Sequence, residues 1–115
     1  MHLDEYQTAH LGTAVYPGKG TTLGLIYVAL KGAGEAGEFA EHVGKAIRDD
    51  NFAESGVLTD DRRDKLMKEI GDELWYCAAK ATELGLNLSE IARANLDKLV
   101  SRKERGVLGG SGDDR

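Results

Sequence analysis

Apolar residues recur along most of the chain at the three- and four-residue spacing of α-helices, and no stretch alternates long enough to predict a β-strand. The periodicity predicts four helices, over about residues 2–14, 21 or 22 to 48, 60–84 and 87–105. Residues 49–59 are polar and predict a loop, and the glycine-rich residues 106–115 predict a flexible arm. The sequence therefore predicts one all-α domain, a four-helix bundle over residues 1–105, followed by a short tail.

Local signals mark the ends of the last two predicted helices. Asp60 and Asp61 are expected to provide the N-cap and an acidic first turn for the third helix. Gly85 is the expected C-cap of that helix. Asn87 is expected to cap the fourth helix, with Glu90 three residues on in a capping-box arrangement.

The second predicted helix is apolar around most of its circumference, which is typical of a buried helix. The stripe expected to face the core begins with Leu23, Tyr27 and Leu30. Continued along the helix, this stripe reaches Glu38, Glu41 and Lys45, with Glu35 to one side. Carboxylates three residues apart repel one another unless a positive charge lies between them. The opposite side of the helix is also apolar, so a solvated acidic face fits this segment poorly.

Glycines inside the second helix predict close neighbours. Each lowers helix propensity by roughly 1 kcal/mol relative to alanine. Such residues are usually tolerated where another backbone or a ligand comes close. The positions concerned are Gly24, Gly32, Gly34, Gly37 and Gly44.

The third predicted helix carries a second acidic pair, Glu69 and Asp72, beside its apolar stripe. Taken alone, these two acids would be interpreted as surface residues. The stripe consists of Leu66, Ile70, Leu74, Cys77, Ala81 and Leu84. Cys77 is accordingly expected to be a buried structural thiol.

Length and charge exclude several classes of protein. A chain of 115 residues suits one domain that would gain stability from oligomerisation. Its net charge of −5 argues against binding nucleic acid through a basic surface. The chain has neither an apolar run of the ~18–20 residues that a membrane span needs nor a signal-peptide layout at its N-terminus. The single cysteine suits the reducing cytosol, so a cytoplasmic protein without nucleic-acid or membrane partners is expected.

Carboxylates converging from two helices indicate a site for a hard divalent cation, because Mg²⁺ is typically held by a few carboxylates together with waters and substrate phosphates. A di-iron site would need Glu-x-x-His motifs, and no histidine follows a glutamate at that spacing on a core helix. The stretch "PGKGTT" resembles a phosphate-binding P-loop only in part. Thr13 stands where the first glycine belongs, and Gly20 follows the lysine.

The fourth predicted helix places Asn95, Lys98 and Arg102 close together beside Ile91. One amide and two cations next to a carboxylate cluster could recognise a base edge and bind phosphates. From this helix alone, a solvated basic face is an equally good interpretation.

Three blocks carry a resemblance over almost the whole chain: "GLIYVALKGAGEAGEFAEHVGKAIRDD", "KEIGDELWYCAAKATELGL" and "IARANLDKLVSRKERGVLGGSGDDR". Together with "YQTA" near the start, they resemble the MazG-like all-α nucleoside triphosphate pyrophosphohydrolases, in the family's order. The resemblance implies a four-helix arrangement that assembles as a homodimer or homotetramer. It also implies bound Mg²⁺, with Mn²⁺ as an alternative ion, and cleavage of nucleoside triphosphates to a monophosphate and pyrophosphate.

The resemblance also assigns roles to single residues. Glu35 and Glu38 match the metal ligands in G-E-x-G-E, and Glu69 and Asp72 match those in E-x-G-D. Substrate contacts fall on Asn95 and Lys98 of an N-x-x-K segment, and on Lys45 after the acidic motif. The chain departs from the family at Gly34, where many relatives have another glutamate. It departs again at His42 and Gly44, where lysines are expected.

Two hypotheses for function follow. In the first, Mg²⁺ held by the four carboxylates activates a water that Glu38 or Glu41 orients, while Lys98, Lys45 or Arg102 stabilises the departing pyrophosphate. This chemistry would serve cleansing or control of the nucleotide pool. In the alternative, the chain is a non-catalytic oligomerisation or regulatory module that retains the fold. Carboxylates on a core-facing stripe favour the first hypothesis.

Overall fold

The computed structural model describes all 115 residues, and every regular element in it is a helix. The helices are α1 (Leu3–His10), α2 (Thr22–Asp49), α3 (Phe52–Ser55), α4 (Asp60–Glu83) and α5 (Leu88–Glu104), with a short 3₁₀ turn at Leu11–Thr13 after α1. The predicted all-α class is confirmed. None of the helices combines the length and apolar content needed to cross a lipid bilayer.

The structure differs from the prediction between α2 and α4, where the predicted loop contains the one-turn helix α3. This turn is bracketed by Asn51 with φ 57° and Gly56 with φ 66°, both in the left-handed region. Glycine and asparagine are the residues that enter this region most readily. The chain can therefore reverse at both ends of a single helical turn, a feature too short for apolar periodicity to reveal.

Helix α4 ends as predicted, but its N-cap lies one residue before the expected Asp60. Its N-cap is Thr59, whose hydroxyl accepts a hydrogen bond from the Arg62 backbone N–H at 3.1 Å. At the other end, Gly85 has φ 69°, and the Leu86 N–H donates to the Ala81 carbonyl at 2.9 Å. This is the Schellman arrangement, which satisfies carbonyls that the last turn leaves free.

Helix α5 is capped by side chains of α1 instead of by its own residues. Asn87 occupies the N-cap position, but its side chain makes no capping hydrogen bond. The Leu88 N–H donates instead to Gln7 Oε1 at 2.8 Å, and the Ser89 N–H donates to Asp4 Oδ1 at 3.1 Å. The expected capping box is therefore wrong, because residues remote in sequence bind the free N–H groups of the first turn.

The tail folds back along α5. Arg102 NH2 donates to the carbonyls of Gly112, at 3.3 Å, and of Asp113. Arg105 NH2 donates to the Arg115 carbonyl at 2.9 Å. Flexibility of this segment in solution stays a prediction.

The interior of the chain is built mainly by α2 and α4, and it consists largely of small side chains. Helix α5 packs against α1 and α4 and makes no contact with α2. Five of the eight buried hydrophobic residues are alanines; the eight are Ala14, Val28, Ala46, Leu66, Ala78, Ala79, Ala81 and Leu88. Small side chains let helix backbones approach closely, but they leave larger apolar residues on the outside.

Two expectations about burial are wrong for the single chain. Leu23 and Leu30, expected to face the core, are 55% and 69% exposed, and α2 instead buries Gly24, Val28, Gly32 and Ala46. Cys77 is exposed, because α4 turns its adjacent alanines inward. The periodicity identified apolar positions but could not tell which apolar face packs within the chain.

Close packing explains two of the five glycines of α2. A Cβ at Gly24 would lie 2.4 Å from the Gly18 carbonyl oxygen, and one at Gly32 would lie 3.3 Å from the Tyr76 Cβ. The remaining three, Gly34, Gly37 and Gly44, have no neighbour within 4 Å of such a Cβ. Gly24 thus lets the first turns of α2 pack on the turn at Gly18, and Gly32 lets α2 approach α4.

Substitution of Gly24 by alanine should destabilise the protein, since the new methyl group meets backbone atoms that cannot rotate away. Overpacking of this kind typically costs about 1–3 kcal/mol. The matched control Gly44→Ala has open space and should gain up to roughly 1 kcal/mol from helix propensity. Thermal and urea unfolding of both variants would measure the difference, and equal stability of the two would contradict the described packing.

Candidate metal centre

Three acids meet where α2 crosses α4. Glu35 of α2 and Glu69 and Asp72 of α4 each place one carboxylate oxygen within 4.8 Å of the other two. The three-residue spacing in E-x-G-D puts the last two on one face of α4. We call this group the acidic cluster.

One oxygen of the acidic cluster lacks a partner. The side chain of Glu69 is only 13% exposed, and its Oε2 is buried without a hydrogen bond. A buried polar atom without a partner is costly, so such atoms commonly mark an ion or water site. Carboxylate oxygens are also the ligands that Mg²⁺ prefers. The residues present therefore fit a divalent cation.

The electrostatics of Glu35 lead to the same conclusion. Burial raises the pKa of this carboxyl above its ordinary value of 4.5, and the charges of Glu38, Asp72 and Glu69 raise it further. Lys31 offsets part of this increase. Negative charge is thus crowded at the cluster beyond what the neighbouring cation neutralises, which is the condition that a bound divalent cation would relieve.

The other predicted acids of α2 are placed differently. Glu38 is exposed and lies outside the three-oxygen group, although its charge reaches Glu35. Glu41 is 65% exposed and pairs with Lys45 at 3.2 Å, one turn along the same helix. The structure therefore brings three of the four predicted ligands together and keeps Glu41 and Lys45 in a surface pair.

The predicted substrate-binding residues of α5 are not paired with any acid of α2 or α4. Lys98 Nζ and Arg102 NH2 each lie 3.4 Å from Asp113 Oδ1 in the tail. Arg102 is only 4% exposed, while Asn95 is exposed. Since α5 makes no contact with α2, one chain alone does not bring these residues to Glu35.

An aromatic wall adjoins the acidic cluster and was missed by the sequence analysis. A shallow cavity of about 350 Å³ is lined by Thr13, Glu35, Asp72, Trp75 and Tyr76. The Trp75 indole N–H donates to Thr13 Oγ1 at 2.8 Å, and its ring lies edge-to-face with Tyr76 at 4.9 Å between centroids. The position of Trp75, three residues after Asp72 on a helix, was the available signal.

A larger cavity, of about 640 Å³, lies away from this chemistry. It contains no member of the acidic cluster, and most of its lining is apolar: Phe39, Leu58, Leu66, Met67 and Ile70, with Asp60, Arg63 and Asp64. Its three charged residues comprise two acids and one cation, which suits a polyanion poorly, so the smaller cavity beside the acidic cluster is the better candidate for substrate.

Comparison with known proteins identifies the family. The family model described as the MazG nucleotide pyrophosphohydrolase domain matches residues 28–107. This span includes the acidic cluster and the whole of α5. The chain therefore belongs to the MazG nucleotide pyrophosphohydrolase family, as the resemblance of its sequence blocks implied.

The chain is also similar to a phage protein. It is 48% identical over 118 residues to the Gene 37 protein of Mycobacterium phage L5, and the match covers 100% of both chains. No solved structure matches the chain.

Neutralising Glu35 should stabilise the metal-free protein at neutral pH. Its raised pKa means that the folded state keeps this proton to higher pH than the unfolded chain does. The ordinary pKa of 4.5 applies to the carboxyl in the unfolded chain. Above about pH 4.5 the ionised Glu35 therefore reduces the free energy of unfolding. Glu35→Gln removes this penalty, so its melting temperature should exceed that of the wild type at pH 7 and converge with it near pH 4.

The check is thermal unfolding in the presence of a chelator across that pH range. Glu41→Gln is the matched control, because it removes the same charge from the same helix where Lys45 already pairs with it. Its melting temperature should stay constant or fall slightly. Destabilisation by Glu35→Gln at pH 7 would contradict the crowding of charge at the acidic cluster.

Proposed function

We propose that this chain is a Mg²⁺-dependent nucleoside triphosphate pyrophosphohydrolase that converts (d)NTP to (d)NMP and pyrophosphate. The observation that carries the proposal is the convergence of Glu35, Glu69 and Asp72 with a buried, unpartnered oxygen on Glu69. Membership of the MazG family supports the reaction class. This protein would serve in cleansing or control of the nucleotide pool in the cytoplasm. It would bind free nucleotides and would bind neither nucleic acid nor membranes.

The three acids of the cluster would hold the metal, and Glu38 would join them from the exposed side. Bound Mg²⁺, or Mn²⁺ in its place, would neutralise triphosphate charge and lower the pKa of a coordinated water. The fit rests on the donor set, since carboxylates close together on two rigid helices suit a hard cation.

Glu38 is the better candidate for the carboxylate that orients the attacking water and accepts its proton. It is exposed next to the cluster, whereas Glu41 is engaged by Lys45. A general base must lie within hydrogen-bond reach of the proton that it takes, so position comes before pKa in this choice.

The aromatic wall is the proposed site for the nucleoside. Trp75 and Tyr76 border the cavity that also contains Glu35 and Asp72, so a nucleoside there would place its phosphates beside the carboxylates. Aromatic side chains stack on any base, which suits a pocket that accepts several nucleotides.

Binding of the phosphates by Asn95, Lys98 and Arg102 would require a second copy of the chain, given the separation of α5 from α2. Lys45 lies on α2 itself and would act from within the same chain. The three cations Lys45, Lys98 and Arg102 would stabilise charge that develops on the departing pyrophosphate.

A homodimer or homotetramer is proposed because the single chain leaves large apolar side chains exposed on three helices. They are Leu23, Ile26, Leu30 and Ile47 of α2, Met67, Ile70 and Leu74 of α4, and Ile91, Leu96, Leu99 and Val100 of α5. Apolar surface of this extent usually marks an interface between proteins.

Incubation with a panel of nucleoside triphosphates and Mg²⁺ should release pyrophosphate and a monophosphate. Asp72→Asn should reduce turnover by orders of magnitude and weaken the stabilisation by Mg²⁺, which follows RT ln(1 + [L]/Kd). Asp64→Asn, the same change on the same helix at a residue paired with Lys68, should retain both properties.

The products are to be identified by ³¹P NMR. Diphosphate with orthophosphate would place cleavage at the wrong bond. A wild-type protein that neither responds to Mg²⁺ nor turns over any nucleotide would favour the alternative of a non-catalytic helical module.

Sedimentation at micromolar concentration should show a dimer or tetramer, and the melting temperature should rise with protein concentration. Leu30→Glu should shift the equilibrium toward the monomer, because it places a charge on the exposed apolar stripe of α2. Val15→Glu, at a residue that is 88% exposed outside the long helices, is the control. A compact wild-type monomer would refute the assembly.

A further inference from the structure

Four mostly buried side chains form a row that ends at the acidic cluster. Arg62 Nε donates to Asp50 Oδ2 at 2.8 Å, and Arg62 NH1 lies 3.2 Å from His42 Nδ1. On the other side of the imidazole ring, His42 Nε2 lies 3.3 Å from Glu69 Oε1. The row alternates between the two helix segments, since His42 and Asp50 come from α2 and its C-cap while the other two come from α4.

The arginine determines which nitrogen of His42 carries the proton. A guanidinium has five N–H donors and no acceptor. A proton on His42 Nδ1 would therefore face another N–H group, so Nδ1 must present its lone pair to Arg62. The proton of the neutral ring is then on Nε2, the nitrogen that lies 3.3 Å from Glu69 Oε1. Asp50 fixes the guanidinium in turn through Arg62 Nε.

The tautomer of His42 determines which group Glu69 meets. One oxygen of this carboxylate, Oε1, lies 3.3 Å from the protonated nitrogen of the imidazole, and the other, Oε2, is buried without a partner. Hydrogen-bonded groups behind a metal ligand fix the ligand's orientation and tune its basicity. A histidine at position 42 is therefore placed to act on a carboxylate, where the family resemblance led us to expect a lysine.

We infer that His42 is a positioning residue that orients Glu69 for metal binding, with Arg62 and Asp50 holding it in the Nε2–H tautomer. The inference rests on the proposed function, because Glu69 is taken as a ligand of the metal. In a purely structural role, the row would only connect α2 to α4. Substitution of His42 would then lower the stability of the protein without changing its affinity for the metal.

Two amide variants separate these roles. His42→Gln can place an N–H near the position of Nε2, so it should keep the Mg²⁺ dissociation constant within about threefold of the wild type. The shorter His42→Asn reaches only the position of Nδ1, so it should weaken Mg²⁺ binding about 10–100-fold, the range expected for loss of a group that supports a ligand. His42→Leu, without a donor, should match His42→Asn.

The measurements are Mg²⁺ titration calorimetry and the melting temperature with and without Mg²⁺. Circular dichroism in chelator establishes that each variant is folded. His2→Leu, which removes an exposed histidine from the start of α1, should leave the affinity unchanged. Saturating Mg²⁺ should restore much of the activity of His42→Asn, because the defect lies in metal affinity.

Long-range ¹H–¹⁵N NMR of the wild type reports the tautomer directly and should show Nε2–H at His42. An Nδ1–H tautomer, or equal Mg²⁺ affinity of the Asn and Gln variants, would overturn the inference while leaving the proposed function standing. Failure of the wild type to bind Mg²⁺ and release pyrophosphate would instead overturn the proposed function, and the role of His42 with it.

Discussion

The close approach of α2 and α4 is the constraint on which the other features depend. Gly32 of α2 lies against Tyr76 of α4, and most of the buried hydrophobic residues of the chain are alanines. This approach places Glu35 opposite Glu69 and Asp72, although their like charges oppose it. Packing of the helices therefore sustains an electrostatic arrangement that the acids alone would not adopt. An arrangement of like charges that lowers the stability of the folded protein is typical of a site prepared for a ligand.

The same small interior leaves apolar surface on the single chain, which the proposed partner copy would cover. Helices that meet through alanine and glycine leave their larger apolar residues on the outside, and here these residues occupy α2, α4 and α5. The cations of α5 are likewise separated from the acids of α2. A partner copy would complete both the core and the phosphate-binding surface, so assembly and catalysis would depend on the same interface.

Sequence periodicity was sufficient for the four longer helices but not for the single turn α3, because a repeat near 3.6 residues shows only over several turns. The spacing of Glu69 and Asp72 likewise placed both acids on one face, and the glycines correctly indicated close approach at positions 24 and 32. Burial of Leu30 and Cys77 was wrong, since a pattern cannot reveal which of two apolar faces packs within the chain. The contacts of His42 with Arg62 and Glu69 join residues 20 and 27 positions apart, and no local rule specifies such pairs.

The capping of α5 by α1 affects the order in which the protein can fold during synthesis. Gln7 binds the Leu88 N–H, a partner 81 residues later in the chain, and Asp4 binds Ser89, 85 residues later. Contacts between such distant segments form late, because the loop between them must first be closed. The first helix leaves the ribosome long before the segment that it caps has been translated. Native docking of α1 on α5 must therefore wait until α5 has been made.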